Sequence, residues 1–198
     1  MGQVITNKKD YIKYVQADKE AMNASAKRSI LLSVASKIAG GGEIVSFLSL
    51  LRKLEYYQNC KKSRIHIPYR LYLLRKFNKQ SIRLGFTIYP NCFDAGLSIS
   101  HHGTIVVSPE SKIGYNCRIN PGVVIGNNRY KGPRIGNNVF IGSGAKIIGD
   151  IELADGIAVG ANSVVRQSFL EPNITIAGIP AKKVSDNGSK VNWKHRHF

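Results

Sequence analysis

The sequence predicts a mainly β protein in which a parallel β-helix follows an α-helical N-terminal domain. Three observations predict it: a six-residue apolar repeat, helical apolar spacing before residue 85, and a change of composition at Gly85. A six-residue period fits neither the 3.6-residue turn of a helix nor the two-residue alternation of a strand. It fits a solenoid of hexapeptide rungs in which one apolar side chain per rung points inwards. The repeat comprises Val107, Ile113, Ile119, Ile125, Ile135, Ile141, Ile147, Leu153, Val159 and Val165.

The first 85 residues predict helices. Apolar residues are spaced for one helix face over 7–24, 43–58 and 69–82, and Pro68 stands at a favourable helix start. The apolar pieces at 30–39 and 44–51 are too short to span a bilayer. We therefore predict a helical domain over 1–85, a β-helix domain over 86–184 and a flexible basic tail over 185–198.

One break interrupts the repeat. Ile125 and Ile135 are ten residues apart instead of six, so about four residues within 126–133 must leave the solenoid as a loop.

The charge balance is strongly basic, with 29 Lys and Arg against 12 Asp and Glu and a net charge of +17. Residues 1–85 hold 17 of the basic side chains and 5 of the acidic ones. Such a field attracts polyanions, and we expect peripheral association with an anionic membrane or polysaccharide, with no specific nucleic-acid partner. The alternative is a solvated basic surface without a partner.

The cysteines and the N-terminus indicate a cytoplasmic protein. The three cysteines form no CxxC pair, which argues against a disulfide framework and is compatible with a reducing compartment. The chain starts without a basic-then-apolar leader.

His101 and His102 are the histidines of the β-helix region, and they stand where the repeat slips. Ile99 and Ile105 are one hexad apart, but the phase restarts at Val107. A slip can turn a side chain outwards, where a neutral imidazole can take a proton from an attacking hydroxyl. A zinc site would need three convergent histidines, and the others lie at His66, His195 and His197. We therefore predict no metal.

A ladder of small residues is predicted on one edge of the solenoid. Gly142, Gly160 and Gly178 are 18 residues apart, which is one coil of three hexads, so they should stack. By the same spacing Ser143 stacks on Ala161 and Gly144 on Asn162. Bare backbone there could hold a long thin ligand, although small residues also serve to turn tight corners. Lys146, Lys182 and Lys183 lie near this edge and could hold phosphates.

Four motifs carry a resemblance to a known family. GFTIYP (85–90), LSISHHGTIVV (97–107), GSGAKI (142–147) and AGIPAK (177–182) resemble hexapeptide-repeat acyltransferases, specifically the serine acetyltransferase-like group. The resemblance implies a left-handed β-helix acetyltransferase domain, a homotrimer, and acetyl-CoA bound as co-substrate between neighbouring solenoids. It places the catalytic base at His101. The residues it implies for the donor are Gly142, Ser143, Gly144, Ala145, Lys146, Gly160, Ala161, Asn162, Ala177, Gly178 and Lys182.

Three positions depart from the family pattern. Thr87 and Ser100 stand where the family has Asp, and Gly132 stands where it has a second His. These losses remove groups that would suit an amino acid, so we predict an acetyl-CoA-dependent O-acetyltransferase whose hydroxyl acceptor is a sugar of a capsule- or O-antigen-type polysaccharide. Asp94 could supply the missing carboxylate. The predicted acceptor residues are Asp94, Ser100, His102, Arg129 and Lys131.

Two alternatives remain open. The first is a serine O-acetyltransferase with a rearranged acceptor pocket, and the second is a non-catalytic trimeric scaffold that binds polyanions.

Overall fold

A computed structural model describes residues 4–24, 42–127 and 131–189. The apolar piece at 30–39, Arg129, and His195 and His197 of the predicted tail lie outside the described residues.

Three α-helices come first in the described chain. They are α1 (Lys8–Ala24), α2 (Glu43–Cys60) and α3 (Ile67–Leu84), and a short 3-10 turn (Arg64–His66) precedes α3. Asn7 starts α1, because its Oδ1 accepts the N–H of Asp10 at 2.9 Å. Pro68 lies in the first turn of α3, and Gly85 ends that helix at φ +78°. The predicted helices are thus present, and no described helix is both long enough and apolar enough to cross a membrane.

Short strands follow from Phe86 onwards and wind into a solenoid of about five coils. The first face holds β1 (Phe86–Ile88), β3 (Ile105–Val107), β6 (Val124–Gly126), β9 (Lys146–Ile148) and β12 (Val164–Val165). The second face holds β4 (Lys112–Ile113), β7 (Arg134–Ile135) and β10 (Glu152–Leu153). The third face holds β2 (Ser98–Ile99), β5 (Arg118–Ile119), β8 (Phe140–Ile141), β11 (Ala158–Val159), β13 (Thr175–Gly178) and β14 (Ala181–Ser185).

All the strand pairs between coils are parallel, and the predicted repeat residues stack in register inside the prism. Val107 pairs with Ile125, and Ile119 pairs with Ile141. The ten predicted inward side chains are all buried, from 0% to 4% exposed. The expected fold class, a parallel β-helix preceded by helices, is confirmed.

The last coil departs from the predicted 18-residue spacing. Val159 pairs with Ile176, so this coil takes 17 residues, and Gly160 lies over Ala177 rather than Gly178. The predicted stack of three glycines is therefore wrong for Gly178. The physical reason is that Ile176 takes the inward position, which moves Gly178 one place along β13.

The helices pack directly on the first coil. One buried apolar cluster runs from Phe47, Leu73 and Phe77 through the whole length of the solenoid without a gap. The division of the chain at residue 85 therefore stays a prediction.

A buried Arg52 joins the helices to the first coil. Its guanidinium donates to both carboxylate oxygens of Asp18 on α1, at 2.8 and 3.2 Å, and to Glu55 at 3.0 Å. It also donates to the main-chain carbonyls of Phe93 and Asp94, at 2.8 and 2.7 Å. All five of its N–H donors are thus used, as burial of a guanidinium requires.

Candidate active site

One edge of the prism carries both the histidines and the small residues. At this edge, which we call the histidine edge, the chain passes from the third face to the first, through residues 100–104, 120–122, 142–144 and 160–163 in successive coils. His101 and the small residues of the lower coils therefore lie on the same side of the molecule, as a site combining base and donor would require.

The histidines occupy a bulge of two extra residues. The chain takes eight positions from Ile99 to Val107 but six from Ile119 to Ile125, although these residues are paired in register. Both His101 and His102 are exposed. The bulge is held at both ends, because Ser100 donates its N–H to the carbonyl of Ile119 at 3.3 Å and Gly103 donates to that of Leu84 at 2.9 Å. The slip in the repeat thus marks the point where the imidazoles leave the prism.

Gly103 is needed for this geometry. Its φ is +132°, which residues with a side chain rarely adopt, and a Cβ there would lie 3.3 Å from the Cβ of Pro121.

Ser100 has a partner that the sequence did not reveal. Its hydroxyl accepts a hydrogen bond from Nε of the half-buried Arg118 at 2.9 Å. Arg118 lies directly over Ser98 in the next coil of the third face. A cation therefore stands beside the position that precedes His101, where the family pattern has a carboxylate. The 18-residue offset, one coil, was the signal that could have identified it.

The lower part of the histidine edge is close-packed. A Cβ on Gly142 would lie 2.6 Å from the main-chain nitrogen of Ala161, and one on Gly160 would lie 2.8 Å from the Cβ of Ala177. Asn162 donates its N–H to the carbonyl of Ser143 at 2.8 Å and has a φ of +56°. These glycines serve close packing between coils, whereas the side chains of Ser143 and Ala161 are exposed. The predicted pairs are therefore adjacent, and the groove surface consists of backbone and small side chains.

Lys146 is used by the protein itself. Its half-buried ammonium donates to the carbonyls of Gly122 and Gly144 at 2.6 and 2.8 Å. Because these bonds satisfy two turn carbonyls of the histidine edge, Lys146 is better suited to hold the corner than to hold a phosphate.

The last coil brings further predicted donor residues to this edge. Ala145 is fully buried and can only shape the groove from beneath. Gly178 donates its N–H to Oγ of Ser163 at 3.2 Å. Lys182 is exposed on β14, while Lys183 forms ion pairs with Glu171 and Asp186, each at 2.6 Å. Lys182 is therefore the better placed of the two cations to meet an anion.

Asp94 lies away from the histidines. It follows Phe93, which bridges to the second face, and its Oδ1 accepts the N–H of Ala95 at 2.6 Å. It also interacts with Tyr14 of α1, whose pKa is raised by burial and by Asp94. The structure thus places Asp94 at the corner between the second and third faces, so the expectation that it orients His101 is not supported.

Lys131 and Gly132 lie on a third corner, between the first and second faces. The exposed ammonium of Lys131 is 3.4 Å from Asp150. Gly132 is buried, and a Cβ there would lie 2.7 Å from the nitrogen of Ser111. No side chain, histidine included, fits at Gly132 without a shift of the loop. Within one chain, Lys131 and His101 therefore lie on different edges.

Among the described residues, no group of three or more His, Cys, Asp or Glu side chains is arranged to hold a metal ion.

Comparison with known proteins identifies the family. The family profile described as bacterial transferase hexapeptide (six repeats) matches residues 132–167. Serine acetyltransferase from Staphylococcus aureus (strain Mu50 / ATCC 700699) is 37% identical over 121 residues, which cover 58% of this chain and 56% of the relative. The chain is a hexapeptide-repeat protein of the serine acetyltransferase-like group. The matched segment spans just over half the length of the curated relatives.

Solved structures extend the similarity to the helices. The crystal structure of Neisseria gonorrhoeae serine acetyltransferase has a TM-score of 0.67 at 27% identity and covers 91% of this chain and 70% of its own. The same enzyme in complex with serine has a TM-score of 0.66 at 28% identity, covering 90% and 70%. Serine acetyltransferase from Brucella abortus strain S19 has a TM-score of 0.71 at 22% identity, over 92% and 73%, and shows the fold alone. These relatives favour the serine acceptor, which was the alternative interpretation, over the sugar acceptor.

Proposed function

We propose that the protein is an acetyl-CoA-dependent O-acetyltransferase with serine as its acceptor. The observation that carries the proposal is the histidine edge, where an exposed His101 lies on the same side of the prism as a strip of exposed backbone and small side chains. The similarity to serine acetyltransferases supports both the reaction and the acceptor.

His101 acts as the general base. An imidazole nitrogen accepts the proton of the serine hydroxyl while that oxygen attacks the thioester carbonyl of acetyl-CoA. The C–S bond then breaks, and the proton passes from His101 to the departing thiol, so the products are O-acetylserine and coenzyme A. No acyl-enzyme is required, because the exposed bulge gives both substrates access to the same imidazole.

The lower histidine edge binds the donor. The exposed backbone around Ser143 and Ala161 can lie against the narrow pantetheine arm and hydrogen-bond to its amides, and Lys182 can meet a phosphate. The thioester that acetyl-CoA supplies is the activated acyl group.

A homotrimer completes the proposed site. His101 and Lys131 lie on different edges of one chain, so a neighbouring solenoid must face the histidine edge for both to contact one acceptor. A three-sided prism offers flat faces for such packing.

A second acceptor class remains because of one specific contact. Arg118 donates to Ser100 immediately before His101, and Gly132 leaves no room for a second histidine. Both differences remove groups from the family's acceptor side, and a sugar hydroxyl needs hydrogen bonds rather than a countercharge for an ammonium.

Release of coenzyme A thiol distinguishes the candidates. We expect purified protein to release thiol from acetyl-CoA when L-serine is present, with O-acetylserine as the product by mass spectrometry. Thiol release with sugars of the polysaccharide type but not with L-serine would establish the second acceptor class. Absence of acetyl-CoA binding, with retention of the folded oligomer, would favour the non-catalytic scaffold.

The donor groove can be tested at Ala161. Ala161→Trp places a large side chain on an exposed position of the groove, whereas a substitution at Gly160 would disturb the packing on Ala177. Overpacking of this kind costs about 1–3 kcal/mol, so the KM for acetyl-CoA should rise about tenfold or more.

Gln167→Trp is the matched control, because Gln167 is exposed and follows β12, away from the histidine edge. Equal KM values for the two tryptophan variants would contradict a donor site at Ala161.

A further inference from the structure

Helix α3 exposes an unusual amount of apolar surface. Seven of the fifteen large apolar side chains that are exposed in the described part of the chain lie between residues 65 and 82. They are Ile65, Ile67, Tyr69, Leu71, Tyr72, Leu74 and Ile82. Ile65 and Ile82 are 80% and 83% exposed, which is far from the partial burial expected of isoleucine in a water-facing helix.

The exposed apolar residues form one stripe. Ile67, Leu71, Leu74 and Ile82 follow each other at helical spacing, with Asn78 filling the remaining turn. The opposite side of the helix is anchored, because Leu73, Phe77 and Leu84 are buried against the core. The stripe therefore has a fixed orientation and points away from the protein. We call it, with its basic flank, the α3 outer face.

Basic residues flank the stripe along one side. Arg75, Lys79 and Arg83 are four residues apart and exposed, next to the apolar positions around the helix. Arg83 pairs with Glu43 of α2. The sequence has no Asp or Glu from Tyr56 to Phe93, a stretch that also holds Lys61, Lys62, Arg64, Arg70 and Lys76. The face thus combines exposed leucine and isoleucine with a dense positive field.

The charge decides what can cover this face. A second copy packed symmetrically on it would bring two such basic helices together, and like charges in a water-excluded contact repel. A nucleic acid would satisfy the charge but leave the apolar stripe without a partner. An anionic bilayer offers both an apolar layer for the stripe and phosphates for the flank.

We propose that the α3 outer face binds the surface of an anionic membrane. The helix lies parallel to the surface, with the stripe at the boundary of headgroups and acyl chains and with the arginines and lysines among the phosphates. Tyr72, which is 56% exposed beside the basic flank, suits the interfacial layer. Binding is peripheral, in agreement with the absence of a membrane-crossing helix among the described residues. This inference does not depend on the proposed reaction.

Vesicle co-sedimentation of the full chain tests the proposal. We expect binding to phosphatidylcholine vesicles containing about 30% phosphatidylglycerol, weak binding to phosphatidylcholine alone, and weakening as salt is raised. The double variant Leu71→Glu/Ile82→Glu should lower the affinity for anionic vesicles at least about tenfold, because it places two carboxylates in the apolar layer. Arg75→Gln/Lys79→Gln should also lower it, with a smaller dependence on salt.

Ile12→Glu is the matched control. Ile12 is 54% exposed on α1, so its replacement introduces the same charge on another exposed helical position. We expect it to bind vesicles like the wild type, and all variants to keep the wild-type circular dichroism spectrum.

Three outcomes would overturn the proposal. The first is equal vesicle binding by the double glutamate variant and Ile12→Glu. The second is a fall in the mass of the assembly on Leu71→Glu/Ile82→Glu without vesicle binding by the wild type, which would identify a second copy as the occupant. The third is binding to DNA, unaffected by that variant, in a protein that ignores anionic vesicles.

Discussion

Replacing His101 by alanine is expected to lower kcat for acetyl transfer by about 10²- to 10⁴-fold, the range typical of losing a general base. The affinity for acetyl-CoA should hardly change, because the donor groove lies in the coils below the bulge. The bulge itself should persist, since it is held by the main chain of Ser100 and Gly103 rather than by the imidazole. Steady-state kinetics with saturating acceptor, together with titration of acetyl-CoA binding, would separate the two effects.

His66→Gln is the control for this variant. His66 lies in the turn before α3, half-buried against Tyr57, far from the histidine edge in the fold. It should keep the wild-type kcat. A His101→Ala variant that retains wild-type kcat would remove this residue from the chemistry.

Replacing Arg52 by methionine is expected to lower the free energy of unfolding by about 3–5 kcal/mol, the usual cost of removing one partner from a buried ion pair. The variant leaves the carboxylates of Asp18 and Glu55 buried, each 2% exposed as a residue, without their cation. Burial already raises the pKa of the Glu55 carboxyl, and the charge of Arg52 opposes this rise. Two carbonyls of the first coil also lose their donor. Urea unfolding at a fixed protein concentration would measure the change.

Arg83→Met provides the comparison. Its ion pair with Glu43 is as short, at 2.6 Å, but the Arg83 side chain is 71% exposed. An exposed pair contributes about 0–1 kcal/mol, so this variant should unfold almost like the wild type. Arg52→Lys should fall between the two, because an ammonium keeps the charge but cannot make the five directed bonds. An Arg52→Met protein within about 1 kcal/mol of the wild type would contradict the assigned role of this network.

The solenoid could be predicted from the sequence because its contacts repeat. Each rung meets the rung one coil away, so the apolar period alone identifies the inward residues, and the slip between Ile99 and Val107 locates the histidine bulge. The same logic placed the small residues and His101 on one edge. It failed by one residue at Gly178, since the last coil is shorter than its predecessors.

Side-chain partners between elements could not be predicted in this way. Nothing in the local sequence pairs Asp18 with Arg52, because they lie 34 residues apart on different helices. Lys146 resembled a phosphate ligand, but its ammonium serves two turn carbonyls. Asp94 is close to His101 in sequence, yet a solenoid turns by one face within a few residues and moves it to another corner.

The two ends of the solenoid are both closed, and this limits how chains can join. A parallel β-helix is a stack of rungs, and an open end presents unpaired main-chain groups on which another chain could continue the stack into a fibre. At the first coil, Asp18 accepts the N–H groups of Gly96 and Leu97 at 2.8 and 2.9 Å. At the last coil, β14 turns back antiparallel on β13 and carries exposed Lys182 and Lys183 on the outermost strand. A reversed strand and positive charge both interrupt parallel stacking, so the chain builds a rod of fixed length that does not polymerise end to end.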